Sequence, residues 1–244
     1  MDPASAQRSR RPARARATAL TRAVWGYVRS APGTYLWLAA LFVTTIVIHR
    51  MGPNHADHFL RARSTNIHNL STHPVRALFR SALWIDGGGW PLYALLYTVF
   101  HATVERWLGT LRWLFVVVFG HVLATYLSEG VLLWAIRHGH APQSAVNTLD
   151  VGVSYGLAAV EAVLAYAIAA PWRLLYAGCL TLFYALALAD ERNFTAVGHL
   201  SAVLLGFACY PLTRGRPGRI DPAAWCRRAY RRLSRRPAGP AGPR

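Results

Sequence analysis

Long blocks of apolar residues alternate with short polar segments along most of this chain. A hydrocarbon core of about 30 Å takes about 20 helical residues to cross, and the blocks approach or reach that length. The second block is short and needs flanking residues to complete a crossing. The pattern predicts six membrane-spanning helices, over residues 34–49, 90–104, 111–136, 150–170, 173–189 and 195–213. We therefore expect an all-α membrane protein, a bundle of six transmembrane helices with both termini on the same side.

Composition agrees with this class, and the arginine distribution predicts the orientation. The chain is 54% hydrophobic and only 15% charged, and all 27 of its basic residues are arginine. Seven arginines precede the first predicted span and ten follow the last. Because short cytoplasmic segments are enriched in Lys and Arg, both tails should be cytoplasmic. The five arginines in the external loop at residues 50–89 weigh less, since that loop is longer.

The same distribution divides the chain into three parts. Residues 1–33 are a basic cytoplasmic tail, residues 34–213 form the membrane domain, and residues 214–244 are a basic, proline-rich cytoplasmic tail. The net charge of +17 lies mostly in the tails rather than on a nucleic-acid-reading motif, so we expect no nucleic-acid partner. Anionic lipid headgroups are the expected partner, at about 1 kcal/mol per basic residue near the membrane.

No cofactor or metal site is expected from the remaining motifs. Cys179, Cys209 and Cys226 fall near or beyond the cytoplasmic ends of predicted helices and imply neither a disulfide nor a metal site. The chain also has no phosphate-binding glycine loop.

Candidate chemistry comes from two short segments near the outer ends of the fourth and sixth predicted spans. Ser154 lies in Gly152-Val153-Ser154-Tyr155-Gly156, and His199 follows Gly198. Each lies about four residues inside its span, or roughly 6 Å at the helical rise. A serine hydroxyl becomes a nucleophile when a base such as imidazole is within hydrogen-bond reach. The common depth predicts that the two side chains meet, although packing is an ordinary role for either residue alone.

Four motifs resemble the rhomboid intramembrane serine proteases over residues 74–213. They are Gly152-Val153-Ser154; Gly198-His199 with Gly206 seven residues later; Val104-Glu105-Arg106-Trp107-Leu108-Gly109; and the external Pro74-Val75-Arg76-Ala77-Leu78-Phe79-Arg80. More narrowly, the chain is similar to divergent rhomboid-like proteins of arginine-rich, actinobacterial proteomes. The resemblance implies a rhomboid-like six-helix bundle in a bacterial inner membrane. It also implies that Ser154 is the nucleophile and His199 the general base in the cleavage of transmembrane substrates.

The surroundings of this Ser-His pair depart from the family pattern. The family places a histidine and an asparagine, which stabilise the oxyanion, at positions where this chain has Gly89 or Trp90 and then Tyr93 or Ala94. Tyr155 replaces a glycine after the serine, and Ala158 stands where the family commonly has a tyrosine against the histidine. Gly152, Tyr155 and Glu129 are the candidate supporting residues. A catalytically inactive rhomboid pseudoprotease that binds transmembrane clients is the alternative function.

Other polar residues lie inside the predicted spans, where charge is expensive. They are His101, His121, Glu129 and Glu161. Interhelical hydrogen bonding is the ordinary role for such groups, and Glu129 is the one expected nearest the Ser-His pair. Two other function classes use the same residues. Haem ligation would employ His121 with His199, and a proton relay would employ Glu129, Glu161 and Asp150.

Overall fold

The computed structural model describes residues 18–85, 89–218 and 220–234. These residues form helices joined by short turns, with an isolated bridge between Ile168 and Ile220. The first helix, α1, covers residues 18–29. The others are α2 Pro32–His49, α3 Pro53–Arg61, α4 Ile67–Thr72, α5 Pro74–Ser81, α6 Gly89–Leu96, α7 Ala102–Leu108, α8 Thr110–Arg137, α9 Val153–Leu164, α10 Trp172–Glu191, α11 Phe194–Ala208 and α12 Pro222–Ser234.

Each of the six apolar blocks is helical. The second block consists of α6, a π-helical turn at Tyr97–His101 and α7, which supply the flanking residues that the short pattern required. Among the described residues, three helices are long and apolar enough to cross a membrane, namely α2, α8 and α10. The helices Val153–Ala167 and Phe194–Ala208 are apolar but shorter. The chain is therefore an all-helical protein with several membrane-crossing segments.

Helix α9 is the centre of the bundle. All of its residues are buried except Ser154, which is half-buried. Helices α8 and α11 pack against it through glycines, because a Cβ at Gly120 or Gly206 would overlap Ala159. Small residues allow this approach of backbones in membrane bundles. Helix α10 contains no buried residue and lies at the periphery.

Glu105 joins three helices at the end of the bundle where α7 ends and α2 and α8 begin. Its Oε1 accepts hydrogen bonds from the Gly33 amide and the Thr110 hydroxyl, and its Oε2 accepts from the amide and hydroxyl of Thr34, at 2.7–2.9 Å. The side chain thereby caps the start of α2, where backbone amides lack helical partners. Gly109 adopts φ 91° in the turn between α7 and α8.

The segment between α2 and α6 folds into α3, α4 and α5, which the sequence pattern treated as a loop. It is attached to Asp150, three residues before the start of α9. The Thr65 amide donates to the Asp150 carbonyl at 2.9 Å, and the Asp150 amide donates to Ser64 Oγ at 2.8 Å. The segment consequently lies at the end of the bundle where α9 begins.

The described parts of both basic tails are helical, in α1 and α12. Exposed arginines of α12 include Arg227, Arg228 and Arg231. Residues 1–17 and 235–244, which belong to the predicted tails, lie outside the described residues.

Candidate active site

Ser154 and His199 are in direct contact. Ser154 Oγ lies 2.8 Å from His199 Nε2, and both residues are half-buried. Ser154 is the second residue of α9 and His199 the sixth of α11. Asn193 caps α11 by accepting a hydrogen bond from the Ala196 amide at 2.7 Å. The expected hydrogen-bond contact is present, and it links the candidate nucleophile to its candidate base.

Aromatic rings fix the orientation of the His199 imidazole. The Tyr155 ring meets it edge to face, with centroids 5.1 Å apart, and the Tyr184 ring lies at 5.9 Å. A Cβ at Gly198 would lie 2.6 Å from the Tyr155 ring. Glycine at this position therefore leaves room for the Tyr155 ring to pack against α11. Donation from Ser154 to Nε2 requires the imidazole proton to be on Nδ1.

Tyr155 connects the imidazole to a buried polar cluster. Its hydroxyl lies 3.1 and 3.2 Å from the Asp150 carboxylate oxygens and 3.4 Å from Ser128 Oγ. Asp150 is also bonded by Thr65 Oγ1, at 3.3 Å from Oδ2. Tyr155 therefore packs against His199 and is held, through Asp150, by the segment between α2 and α6.

Gly152 has a packing role. It is the N-cap of α9, and a Cβ there would overlap the His121 imidazole. His121 Nε2 lies 3.0 Å from the Leu78 carbonyl and 3.4 Å from Ser81 Oγ. A neutral imidazole that donates from Nε2 to a carbonyl has no proton on Nδ1. His121 thus supports the turn before Ser154.

Glu129 lies behind this cluster. It is 4% exposed, and neither carboxylate oxygen has a hydrogen-bond partner among the described residues. Asp150 is the charged group that acts on it electrostatically. No contact joins Glu129 to Ser154 or His199 in the part of the chain that the structure describes. Glu129 is connected to the Ser-His pair indirectly, through its neighbour Ser128, which lies near the Tyr155 hydroxyl.

Glu161 and His101 make the interhelical contacts expected of them. Glu161 Oε2 accepts from the Tyr184 hydroxyl at 2.8 Å, which joins α9 to α10. His101 Nδ1 accepts from Trp113 Nε1 at 3.1 Å, and its ring stacks on Tyr97 at 4.0 Å. Both groups serve packing between helices.

At the positions where the family resemblance predicts oxyanion donors, the described side chains make the following contacts. Trp90 Nε1 donates to the Leu38 carbonyl at 3.0 Å, and Gly89 and Ala94 carry no side-chain donor. Tyr93 packs against Tyr97, with centroids 6.2 Å apart. The Ser154 backbone amide lies in the first turn of α9, where helix geometry supplies no carbonyl partner. That amide is a candidate hydrogen-bond donor beside the Ser154 hydroxyl.

Among the described residues, the side chains named for the two other function classes have separate hydrogen-bond partners. His121 and His199 have separate partners, Leu78 with Ser81 and Ser154 respectively, so they do not form a shared ligand pair. Glu161 is bonded to Tyr184, apart from the Asp150 cluster. Among the described residues, no group of three or more His, Cys, Asp or Glu side chains could hold a metal ion.

Sequence reasoning did not identify two residues of the site. The sequence pattern predicts a role for Asp150 only in a proton relay and predicts no role for Tyr184. A polar residue just before a helix start is a signal that could have suggested Asp150. Tyr184 gives no such signal, because the register of α10 against α11 depends on packing between distant segments.

Comparison with known proteins agrees with the motifs and the helical architecture. A family model described as rhomboid-like protein matches residues 26–219, which extends beyond the region that carries the motifs. No curated protein and no solved structure matches the chain. The match covers most of the chain, and the chain therefore belongs to the rhomboid-like protein family.

Proposed function

We propose that this protein is an intramembrane serine peptidase with six transmembrane helices, in which Ser154 and His199 cleave transmembrane substrates. The observation that carries the proposal is the 2.8 Å contact between Ser154 Oγ and His199 Nε2. A serine paired with a base at this distance is the minimal arrangement for nucleophilic catalysis. Both residues are half-buried, so the pair is not fully enclosed by the bundle.

The chemistry follows from the pair. Ser154 Oγ attacks the peptide carbonyl while His199 Nε2 accepts its proton, and a tetrahedral intermediate forms. The imidazolium then gives this proton to the leaving amine as the C–N bond breaks, which leaves an acyl group on Ser154. Water, deprotonated by His199, attacks the acyl carbon and releases the carboxylic acid and the serine. The Tyr155 ring maintains the imidazole orientation throughout these steps.

Oxyanion stabilisation is the weak part of this site. The Ser154 amide is the donor offered by the first turn of α9, and helix N-termini favour negative charge. Loss of one oxyanion donor can cost about 100- to 1000-fold in rate. We therefore expect slow turnover compared with enzymes that have further donors.

The proposal includes a topology. Both basic tails are cytoplasmic and bind anionic lipid headgroups, and the mouth of the site opens on the outer face of a bacterial inner membrane. Single-span clients enter near α9 and α11, where Ser154 and His199 meet. The arginine excess of the tails supports this orientation.

The second candidate is a pseudoprotease that retains single-span clients without cutting them. A specific observation favours it: Trp90, at one of the donor positions, uses its indole N–H on the Leu38 carbonyl. In this case Ser154 and His199 contribute only a packing hydrogen bond, worth about 1 kcal/mol.

A single set of variants separates the two functions. The purified protein in liposomes is treated with a serine-directed fluorophosphonate probe and, separately, with a labelled single-span client. The variants are Ser154→Ala, His199→Ala and their combination, with Ser144→Ala in an exposed loop as the matched control. For the enzyme, each single change abolishes labelling and cleavage and the double change adds little, because a nucleophile and its base act as one unit.

Two other outcomes would count against the enzyme. A client that copurifies uncut with the original protein, and equally well with Ser154→Ala, supports the binder. Product that still forms at the original rate in Ser154→Ala would exclude Ser154 as the nucleophile.

A further inference from the structure

A basic pocket lies at the corner between α4 and α5, outside the site described above. It has a volume of about 360 Å³. The polar side chains that line it are His68, Asn69, Thr72, His73, Arg76 and Arg80, which we call the arginine pocket. Arg76 and Arg80 are one helical turn apart on α5, so their guanidinium groups project from the same face.

No carboxylate among the described residues balances the positive charge of this pocket. Within the part of the chain that the structure describes, no carboxylate lies within salt-bridge distance of Arg63, Arg76 or Arg80. Burial and then the positive charges of Arg80 and Arg76 lower the pKa of Arg63. Arg63 is fixed beside the pocket by the Phe59 ring, 3.3 Å from its guanidinium carbon. The two guanidinium groups that line the pocket, those of Arg76 and Arg80, are like charges one helical turn apart, and such a pair favours an anion beside it.

Apolar side chains stand beside the pocket on the same helix. Val75 is 79% exposed and Phe79 is 69% exposed, and they too are one turn apart. A short helix with exposed apolar residues on one face and arginines on the next has the pattern of a helix at a membrane surface. Its apolar face fits acyl chains, and its arginines then lie at the level of the headgroups.

The location agrees with this placement. The segment that carries the pocket is bonded to the start of α9 through Thr65 and Asp150. It therefore lies at the end of the bundle where Ser154 and His199 meet.

We propose that the arginine pocket binds a phosphate group, supplied by the headgroup of an anionic phospholipid in the surrounding leaflet. Guanidinium groups match phosphate oxygens with paired hydrogen bonds, and the imidazoles and Thr72 add donors at the rim. The bound lipid holds α5 against the membrane beside the mouth of the site. This inference requires α5 to lie at the membrane surface, but it does not require Ser154 to be reactive.

Native mass spectrometry of the full chain in detergent tests this inference. Dioleoyl phosphatidylglycerol, glycerol 3-phosphate and inorganic phosphate are titrated separately, so that lipid and soluble phosphate are distinguished. The variant is Arg76→Gln with Arg80→Gln. The charge-matched control is Arg50→Gln with Arg137→Gln, which removes two arginines near the same end of the bundle but outside the pocket.

We expect the pocket variant to bind phosphatidylglycerol about tenfold more weakly or worse, since hydrogen bonds to charged groups contribute that much to affinity. The control should bind like the original protein. Arg76→Lys with Arg80→Lys should recover part of the lost affinity. Phe79→Ser should weaken binding of the lipid but not binding of the soluble phosphates. Unchanged melting temperatures exclude misfolding as the cause.

Two results would overturn the proposal. Equal loss in the pocket variant and the control would mean that only net charge matters. Inorganic phosphate bound as tightly as the lipid, with no effect of Phe79→Ser, would rule out the lipid as the source of the phosphate.

Discussion

At the scale of single residues, Tyr155 combines two contacts that substitutions can separate. Its ring packs on His199 and its hydroxyl bonds to Asp150, and the residue is fully buried. The ring contact concerns the orientation of the base, whereas the hydroxyl contact concerns the buried carboxylate. The resemblance predicts a glycine at this position. The chain instead has Tyr155, whose ring packs against the His199 imidazole.

We predict that Tyr155→Phe keeps most of the serine-dependent turnover and lowers stability. Loss of the hydroxyl leaves the buried Asp150 without its closest donor, at a cost of about 1 to 3 kcal/mol. Tyr155→Ala removes the ring and should cost about 3 to 5 kcal/mol, as other large aromatic truncations do. It should also abolish turnover, because His199 loses its orientation. Thermal unfolding in detergent and the client-cleavage rate measure the two effects.

The comparison with Tyr184→Phe serves as a control. Tyr184 also faces His199, but its hydroxyl bonds to Glu161 instead of the Asp150 cluster. Equal turnover in Tyr155→Phe and Tyr155→Ala would show that the ring contact does not position the base.

At the scale of helices, Glu105 joins α2, α7 and α8 with four accepted hydrogen bonds. We predict that Glu105→Gln lowers the free energy of unfolding by about 2 to 4 kcal/mol, because the amide nitrogen cannot accept and leaves buried donors unsatisfied. The matched control is Glu191→Gln, an exposed carboxyl that accepts a hydrogen bond from the Asn193 side chain at 3.0 Å.

Equilibrium unfolding of both variants in mixed micelles gives the comparison. Folded Glu105→Gln should retain the probe reactivity of Ser154, since Glu105 contacts none of the residues around the Ser-His pair. A stability equal to that of Glu191→Gln would contradict a structural role for Glu105.

Helix positions and the Ser-His contact could be predicted, whereas the surroundings of the pair could not. Apolar blocks fix where helices form, and a constant helical rise brings Ser154 near His199 once both helices start from one side. The Tyr155–Asp150 bond depends on how the segment carrying Thr65 folds onto the bundle. That segment is polar and of mixed periodicity, so no repeat in the sequence reveals α3, α4 and α5. The helix α12 within the basic tail was likewise not predicted.

At the scale of the whole molecule, the orientation in the membrane decides which compartment the site faces. The arginine-rich tails predict cytoplasmic termini, and the segments 50–89, 137–149 and 190–194 are then external. This orientation places the mouth of the site and the arginine pocket on the outer face together.

Single-cysteine labelling in intact cells tests the orientation, and the chain offers its own internal control. Ser144→Cys is introduced where Cys179, Cys209 and Cys226 have been replaced, and a second variant keeps only Cys226, which is exposed in α12. We expect a membrane-impermeant maleimide to label Ser144→Cys in intact cells but Cys226 only after permeabilisation, because the charged reagent cannot cross the bilayer. The reverse pattern would turn the site towards the cytoplasm, and clients would then have to be cut or held on that side.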